Sequence, residues 1–295
     1  MSKARIERRP SKYLYILPLL ILLIWIYIYP IIRTFYYSFL DLPFGGAEGE
    51  FVGFENYRNL FADDAFWTSL ENNFIWAILN SVLQMFFAFV FAVLLNQKFK
   101  GVGFVRTVTL LPWIIPTAAI GCVIRWVLLP NLGIVNVALV DSGLVKEAVN
   151  FLGAENALVT LSVLNSWKSI PIGTLLILSA LQTIPAEVYE SAQVDGANSL
   201  QTFFKITYPI ISKMLWFTTF LIFVWGFNAF DMIWMVTQGG PGIATQTLPV
   251  VVYRYAFKTM KLGQSSTVAV IISVILIVIG VLYFSLMGGG KQNED

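Results

Sequence analysis

Few side chains in this chain of 295 residues can do acid–base or covalent chemistry. There is no histidine, and the one cysteine, Cys122, sits inside an apolar run. That excludes an HExxH zinc site, a Ser-His-Asp triad, a His-ligated haem and any intrachain disulfide. No G-x-S-x-G turn and no paired aspartates within an apolar run are present to serve an intramembrane enzyme. The stretch Gly288-Gly-Gly-Lys291 is not a phosphate-cradling loop, because a glycine is missing at the needed spacing and no Ser or Thr follows. The remaining charged groups of interest lie in two places. Glu187, Glu190 and Asp195 share one polar segment. Lys168, Asp231 and Arg125 lie in or at the ends of apolar runs, where a charge is costly and is functional by default. Asp231 could pair with Lys168 or Arg125 and hold helices together. The group could instead line a polar path, or Arg125 could snorkel to an interface.

The elements that must position these groups are set by composition. Hydrophobic residues make up 57% of the chain and charged ones 12%, about half the ~25% of a soluble domain. The mean hydropathy is +0.74. Lipid must cover much of such a surface. The net charge of +2 is too small to argue for nucleic acid. A membrane span needs about 20 largely apolar residues. Six runs qualify: Tyr13 to Ile32, Asn73 to Gln97, Thr107 to Ile124, Leu158 to Gln182, Met214 to Gln238 and Gln264 to Gly290. The first is too long for a secretory signal core and no A-x-A site follows it, so it reads as a retained helix. Pro112, Pro116 and Pro171 fall within the runs, where proline tends to kink a helix. The expected fold is an all-α integral membrane protein: a tail over 1–12, a six-helix domain over 13–290 and a tail over 291–295.

Orientation follows from lysine and arginine. With the N-terminus inside, the inner segments hold Lys3, Arg5, Arg8, Arg9, Lys12, Lys98, Lys100, Arg106, Lys205, Lys213 and Lys291. The outer ones hold Arg58, Lys146, Arg254, Lys258 and Lys261. Eleven against five puts both termini in the cytoplasm. Two outer loops, Asp41 to Asn72 and Pro130 to Ala157, are long enough to fold. The first carries Phe51, Phe54, Tyr57, Phe61, Phe66 and Trp67, as suits either an interfacial anchor or a docking surface.

The polar segment between the fourth and fifth runs, 183–209, reads as two helices around a bend. Thr183 can cap a first helix with Pro185 in its first turn and Glu187 near its positive end. Gly196 permits a bend that other residues resist. A second helix can start near Asn198 and end before Pro209, with Phe203, Phe204 and Ile206 giving it a sticky face.

Glu190, Ala192, Asp195, Gly196, Ala197, Phe204, Ile206 and Pro209 match, in order, the E-A-A-x-x-D-G-A pattern and its following aromatic, Ile and Pro. Ser191 stands in for the middle alanine. The segment resembles the EAA loop of permeases in binding-protein-dependent ATP-binding-cassette importers. Leu17-Pro18, Tyr29-Pro30, Tyr37-Ser-Phe39, Phe51-Val-Gly-Phe-Glu-Asn-Tyr57, Phe104-Val-Arg-Thr107 with Leu111-Pro112, and Gln238-Gly-Gly-Pro241 with Thr245 resemble the sugar-type branch that handles maltose and glycerol phosphate.

The resemblance implies a bacterial plasma (inner) membrane permease that moves a sugar or sugar-like solute by alternating access. Its partners would be two cassette ATPase subunits, a second and non-identical permease, and an extracytoplasmic solute-binding protein. The chain itself would bind no cofactor and no metal, with ATP and Mg held by the ATPases, and would not be an enzyme. The ATPase-coupling residues would be Glu187, Glu190, Ala192, Asp195, Gly196, Ala197, Phe203, Phe204, Ile206 and Pro209. Sugars are bound by hydroxyl hydrogen bonds and by stacking on aromatic faces, so Asn165, Trp167, Lys168, Trp225, Asn228, Asp231 and Trp234 are the candidate path residues. Two other classes compete: an ABC permease for a non-sugar solute, and an ion-coupled secondary transporter. The latter would want midplane carboxylates and internal repeats, whereas the spans contain one carboxylate, Asp231, and no repeat.

Overall fold

The computed structural model describes residues 16–45 and 49–288. The basic tail residues Lys3, Arg5, Arg8, Arg9, Lys12 and Lys291, and the outermost residues of the first and last predicted runs, lie outside them. Among the described residues, five helices are long and apolar enough to cross a membrane: Leu17–Tyr37, Asp64–Leu95, Ala157–Leu181, Ser199–Val236 and Leu262–Met287. A sixth crossing is a broken pair, Val102–Ile114 with Thr117–Val127, bent by 84°. We number the helices α1 (Leu17–Tyr37), α2 (Glu55–Phe61), α3 (Asp64–Leu95), α4 (Val102–Ile114), α5 (Thr117–Val127), α6 (Ile134–Asp141), α7 (Ala157–Leu181), α8 (Ala186–Val194), α9 (Ser199–Thr202), α10 (Tyr208–Phe227), α11 (Asp231–Val236), α12 (Leu248–Tyr253) and α13 (Leu262–Gly288).

Prolines explain where the apolar runs do and do not break. The third predicted run is two helices, not one. Ile115 is pushed into the extended region by the proline that follows (φ −68°, ψ 128°). Pro116 is itself extended (φ −57°, ψ 132°) and starts α5. Pro112 and Pro171, by contrast, sit inside α4 and α7 without ending them. The second run begins nine residues earlier than its apolar stretch, because Asp63 caps α3 by accepting from the Ala65 amide at 2.9 Å.

The chain divides into two compact units. In the first, residues 1–62 with 252–272, α1 has no buried residue. Strands β1 (Leu40–Asp41) and β2 (Glu50–Phe51) pair antiparallel, a small departure from an all-α chain. Asn56 Nδ2 donates to the Ser38 and Leu40 carbonyls at 3.0 and 2.8 Å, and Thr267 Oγ1 donates to Ser38 O at 3.2 Å.

The second unit, residues 63–251 with 273–295, is organised around α3 and α7 packed side by side, with α10 against both. Lipid offers no hydrophobic drive between helices, so close packing of small residues must hold them. Ala88, Ala92, Gly173 and Ala180 supply that at one end. There they sit with Leu95, Ile177, Leu181, Ile184, Ile211 and Leu215. A second apolar cluster at the other end joins Trp76, Ile120, Ile124, Leu161, Met232 and Ile233. Between the two lies a polar layer: Asn80, Ser81 and Gln84 on α3, and Ser166 and Thr174 on α7, all buried.

Candidate functional site

The bent segment after α7 is built by local rules that differ in part from the expected ones. Thr183 does not cap the first helix: its hydroxyl donates back to Ala180 O at 2.8 Å, and Pro185, extended, stands at the N-cap of α8. The helix then stops on a Schellman motif. The Gly196 amide reaches Gln193 O at 3.1 Å and the Ala197 amide reaches Ala192 O at 2.9 Å. Gly196 is left-handed at φ +77°. The Asp-Gly-Ala part of the motif is therefore a helix stop. Asn198 and Gln201 form a reciprocal capping box that opens α9, with bonds of 2.9 and 3.0 Å.

The second helix does not end before Pro209. It continues through a π-helical turn, Phe203–Thr207, into α10. Pro209 has no N–H for the carbonyl four residues back, and its ring would press on that carbonyl. The wider turn, closed by the Tyr208 amide on Phe203 O, accommodates it without ending the helix. The same arrangement precedes Tyr29-Pro30 in α1, where the Tyr29 amide bonds Ile24 O.

One side of this helix–turn–helix is seated and the other is bare. Val188 and Tyr189 pack on the apolar cluster of Leu95, Leu181 and Ile211, and Ala192 is buried. Thr207 Oγ1 donates to Tyr189 Oη at 3.3 Å and ties α8 to the π turn. Phe203 and Ile206 are half-buried, Phe203 meeting Phe89 at 5.7 Å between ring centres. On the other side Glu187, Glu190 and Asp195 are exposed and, among the described residues, have no protein partner. Beside them Val194, Leu200 and Phe204 are 88, 69 and 60% exposed. Val194 and Leu200 escaped the sequence reading, since a helix-end Val and a first-turn Leu carry no periodic signal.

The polar layer forms a second candidate site. A cavity of about 320 Å³ is lined by Gln84, Trp113, Asn165, Ser169, Ile222 and Trp225, among others. Of the predicted path residues it brings together Asn165 and Trp225. Trp167, Lys168, Asn228, Asp231 and Trp234 do not line it. Trp167 is half exposed, and Trp234 stacks on Phe230 at 5.5 Å. Asn228 ends α10, donating to Val224 O at 2.9 Å.

The suggested ion pair is not formed. Arg125 Nε donates instead to Val236 O at 2.6 Å, at the carbonyl end of α11, where a cation is favoured. Asp231 stands in the first turn of α11, where a carboxylate is favoured, and Lys168 is half-buried on α7. Each helix terminus thus satisfies a charge that sequence alone would pair with another.

Asn80 was also invisible as a site residue. It recurs with Asn73 and Gln84 at spacings of seven and four on α3, which is one helix face and could have been read as a polar stripe. Further along that stripe Asn73 accepts the Leu248 amide at 3.1 Å and donates to Phe227 O at 3.3 Å. Asn72 holds the carbonyls of Ile243 and Gln246 at 3.0 and 3.3 Å. These bonds anchor the loop after α11, in which Thr245 Oγ1 donates to Gly240 O at 2.8 Å.

Residues 84–288 match the family described as binding-protein-dependent transport system inner membrane component. The trehalose/maltose transport system permease protein MalF of Thermococcus litoralis is 31% identical over 298 residues, covering 100% of this chain and 98% of that protein. The probable ABC transporter permease protein YurN of Bacillus subtilis is 30% identical, covering 95% of this chain and 97% of its own. The sulfoquinovosyl glycerol permease protein SmoG of Agrobacterium fabrum is 31% identical, over 92 and 88%. A chain of a bacterial alginate ABC transporter, crystallised with an alginate pentasaccharide-bound periplasmic protein, has the same fold. Its TM-score is 0.83 at 21% identity, with 96% of each chain covered.

Proposed function

This chain belongs to the family of binding-protein-dependent inner membrane transport components, and from that premise we propose that it is the permease subunit of an ATP-driven importer for a sugar or oligosaccharide. The half-seated helix–turn–helix carries this reading. Its inner side is locked to α3, α7 and α10, while its outer side offers Glu187, Glu190 and Asp195, without partners among the described residues, beside exposed Val194, Leu200 and Phe204. That is the surface of a plug for a partner's cleft, and the partner is a cassette ATPase.

Two ATPases close on ATP and draw two such plugs together, one from this chain and one from a second permease. Because α9 runs unbroken through the π turn into α10, a pull on Phe204 or Leu200 moves the span as one rod. The spans rock between inward- and outward-open states. Both termini and the plug face the cytoplasm, and a solute-binding protein delivers the solute from outside. ATP and Mg stay on the ATPases. The cavity beside Asn165 and Trp225 is the solute path, with an aromatic face for a sugar ring and amides for its hydroxyls.

The test is co-purification of the tagged full-length chain from its native membrane. Wild type is expected to recover a cassette ATPase and a second permease, and Glu190→Lys with Phe204→Asp to lose the ATPase while keeping the permease. Retention of the ATPase by the double variant would remove the plug from the coupling interface.

A further inference from the structure

Asn80 is fully buried and does not line the cavity. Its bonds nevertheless orient two amides of the wall. The Trp76 backbone carbonyl can only accept. Asn80 Nδ2 donates to Trp76 O at 2.9 Å. Its Oδ1 must then point the other way, where three donors meet it: Asn165 Nδ2 at 2.7 Å, Ser166 Oγ at 3.3 Å and Gln84 Nε2 at a long 3.5 Å. Asn165 and Gln84 line the cavity. With their amide nitrogens turned to Asn80, their carbonyl oxygens have no donor among the described residues.

We infer that Asn80 is a positioning residue that fixes the Asn165 and Gln84 amide oxygens as acceptors for the solute, selecting an uncharged polyhydroxyl solute over an anionic one. This rests on the reading of the cavity as the solute path. Two further observations favour it. Among the described residues no charged side chain lines the cavity, so a carboxylate, phosphate or sulfonate meets no cation from them there. Lys168 neighbours Ser169 in sequence but does not line the wall. Sugar hydroxyls can donate to Asn165 Oδ1 and Gln84 Oε1, and ring faces can rest on Trp113 or Trp225. A carboxylate has only acceptors to offer and leaves those oxygens unpaired, which is the costlier error.

The experiment uses the complex recovered with the full-length chain, in lipid nanodiscs, and saturation-transfer NMR with a matched pair of probes: maltotriose, uncharged, and trigalacturonate, acidic. Maltotriose is expected to give the stronger signal by about tenfold (~1.4 kcal/mol), and Trp225→Ala should abolish it. Asn80→Ala frees both amides to turn, so the ratio should fall about tenfold towards unity with the melting temperature as the check on folding. Asn165→Leu leaves Asn80 in place and should weaken maltotriose without strengthening trigalacturonate. Equal Trp225-dependent signals from both probes in wild type would overturn the inference alone. So would an unchanged ratio in a folded Asn80→Ala variant. Signals from both probes that survive Trp225→Ala would overturn the solute-path reading itself.

Discussion

Gly196 offers a quantitative test of the coupling plug. Its φ is +77°, and a Cβ added there would meet nothing within 4 Å. A substitution therefore costs through the backbone and not through a clash inside this chain. A left-handed L-residue costs roughly 1–2 kcal/mol, with asparagine among the least penalised and β-branched residues the most. That lowers the population of the bent plug by roughly five- to thirtyfold. In co-purification with the ATPase, and in solute-stimulated ATP hydrolysis by the recovered complex, the expected order is Gly196→Asn best, Gly196→Ala intermediate and Gly196→Val worst. A ranking by size instead, with alanine above asparagine, would show that the partner's cleft touches this position and that φ is not the limiting factor. Wild-type coupling in all three would refute the role of the Schellman bend altogether.

Other expectations are purely structural and are read by thermal melting of the purified chain. A Cβ at Gly173 would lie 2.8 Å from Ala88 Cβ. Gly173→Ala should therefore cost about 1–3 kcal/mol as overpacking, and Ala88→Gly should relieve it in the double variant. In a double-mutant cycle Arg125→Met and Asp231→Asn should add within about 0.5 kcal/mol, since Arg125 is bound to Val236 O and not to Asp231. A coupling well above that would restore the ion pair. A Cβ at Gly263 would sit 2.0 Å from Leu40 O, whereas one at Gly280 has Phe220 Cζ no closer than 3.8 Å. Gly263→Ala should lower the melting temperature and Gly280→Ala should leave it unchanged.

Composition and run length alone determined that this chain lives in lipid, because so few charged residues cannot clothe a surface in water. Spacing determined the bent polar segment too: Asn198, Gln201 and the Asp195-Gly196-Ala197 stop are local devices whose partners lie within a few residues. Tertiary structure decided what depends on groups far apart in sequence or on backbone carbonyls, which carry no letter. Pro116 breaks its helix while Pro112 and Pro171 do not. Pro209 is carried through on a π turn, since nearby carbonyls can be re-paired by a register change that no composition rule foresees. Arg125 found a helix-end carbonyl instead of a carboxylate. Asn80, 85 residues from Asn165, became the centre of the polar layer only when α3 and α7 packed. In a medium without water a buried amide must find its partners within the protein, and which partners are in reach is a property of the packed helices.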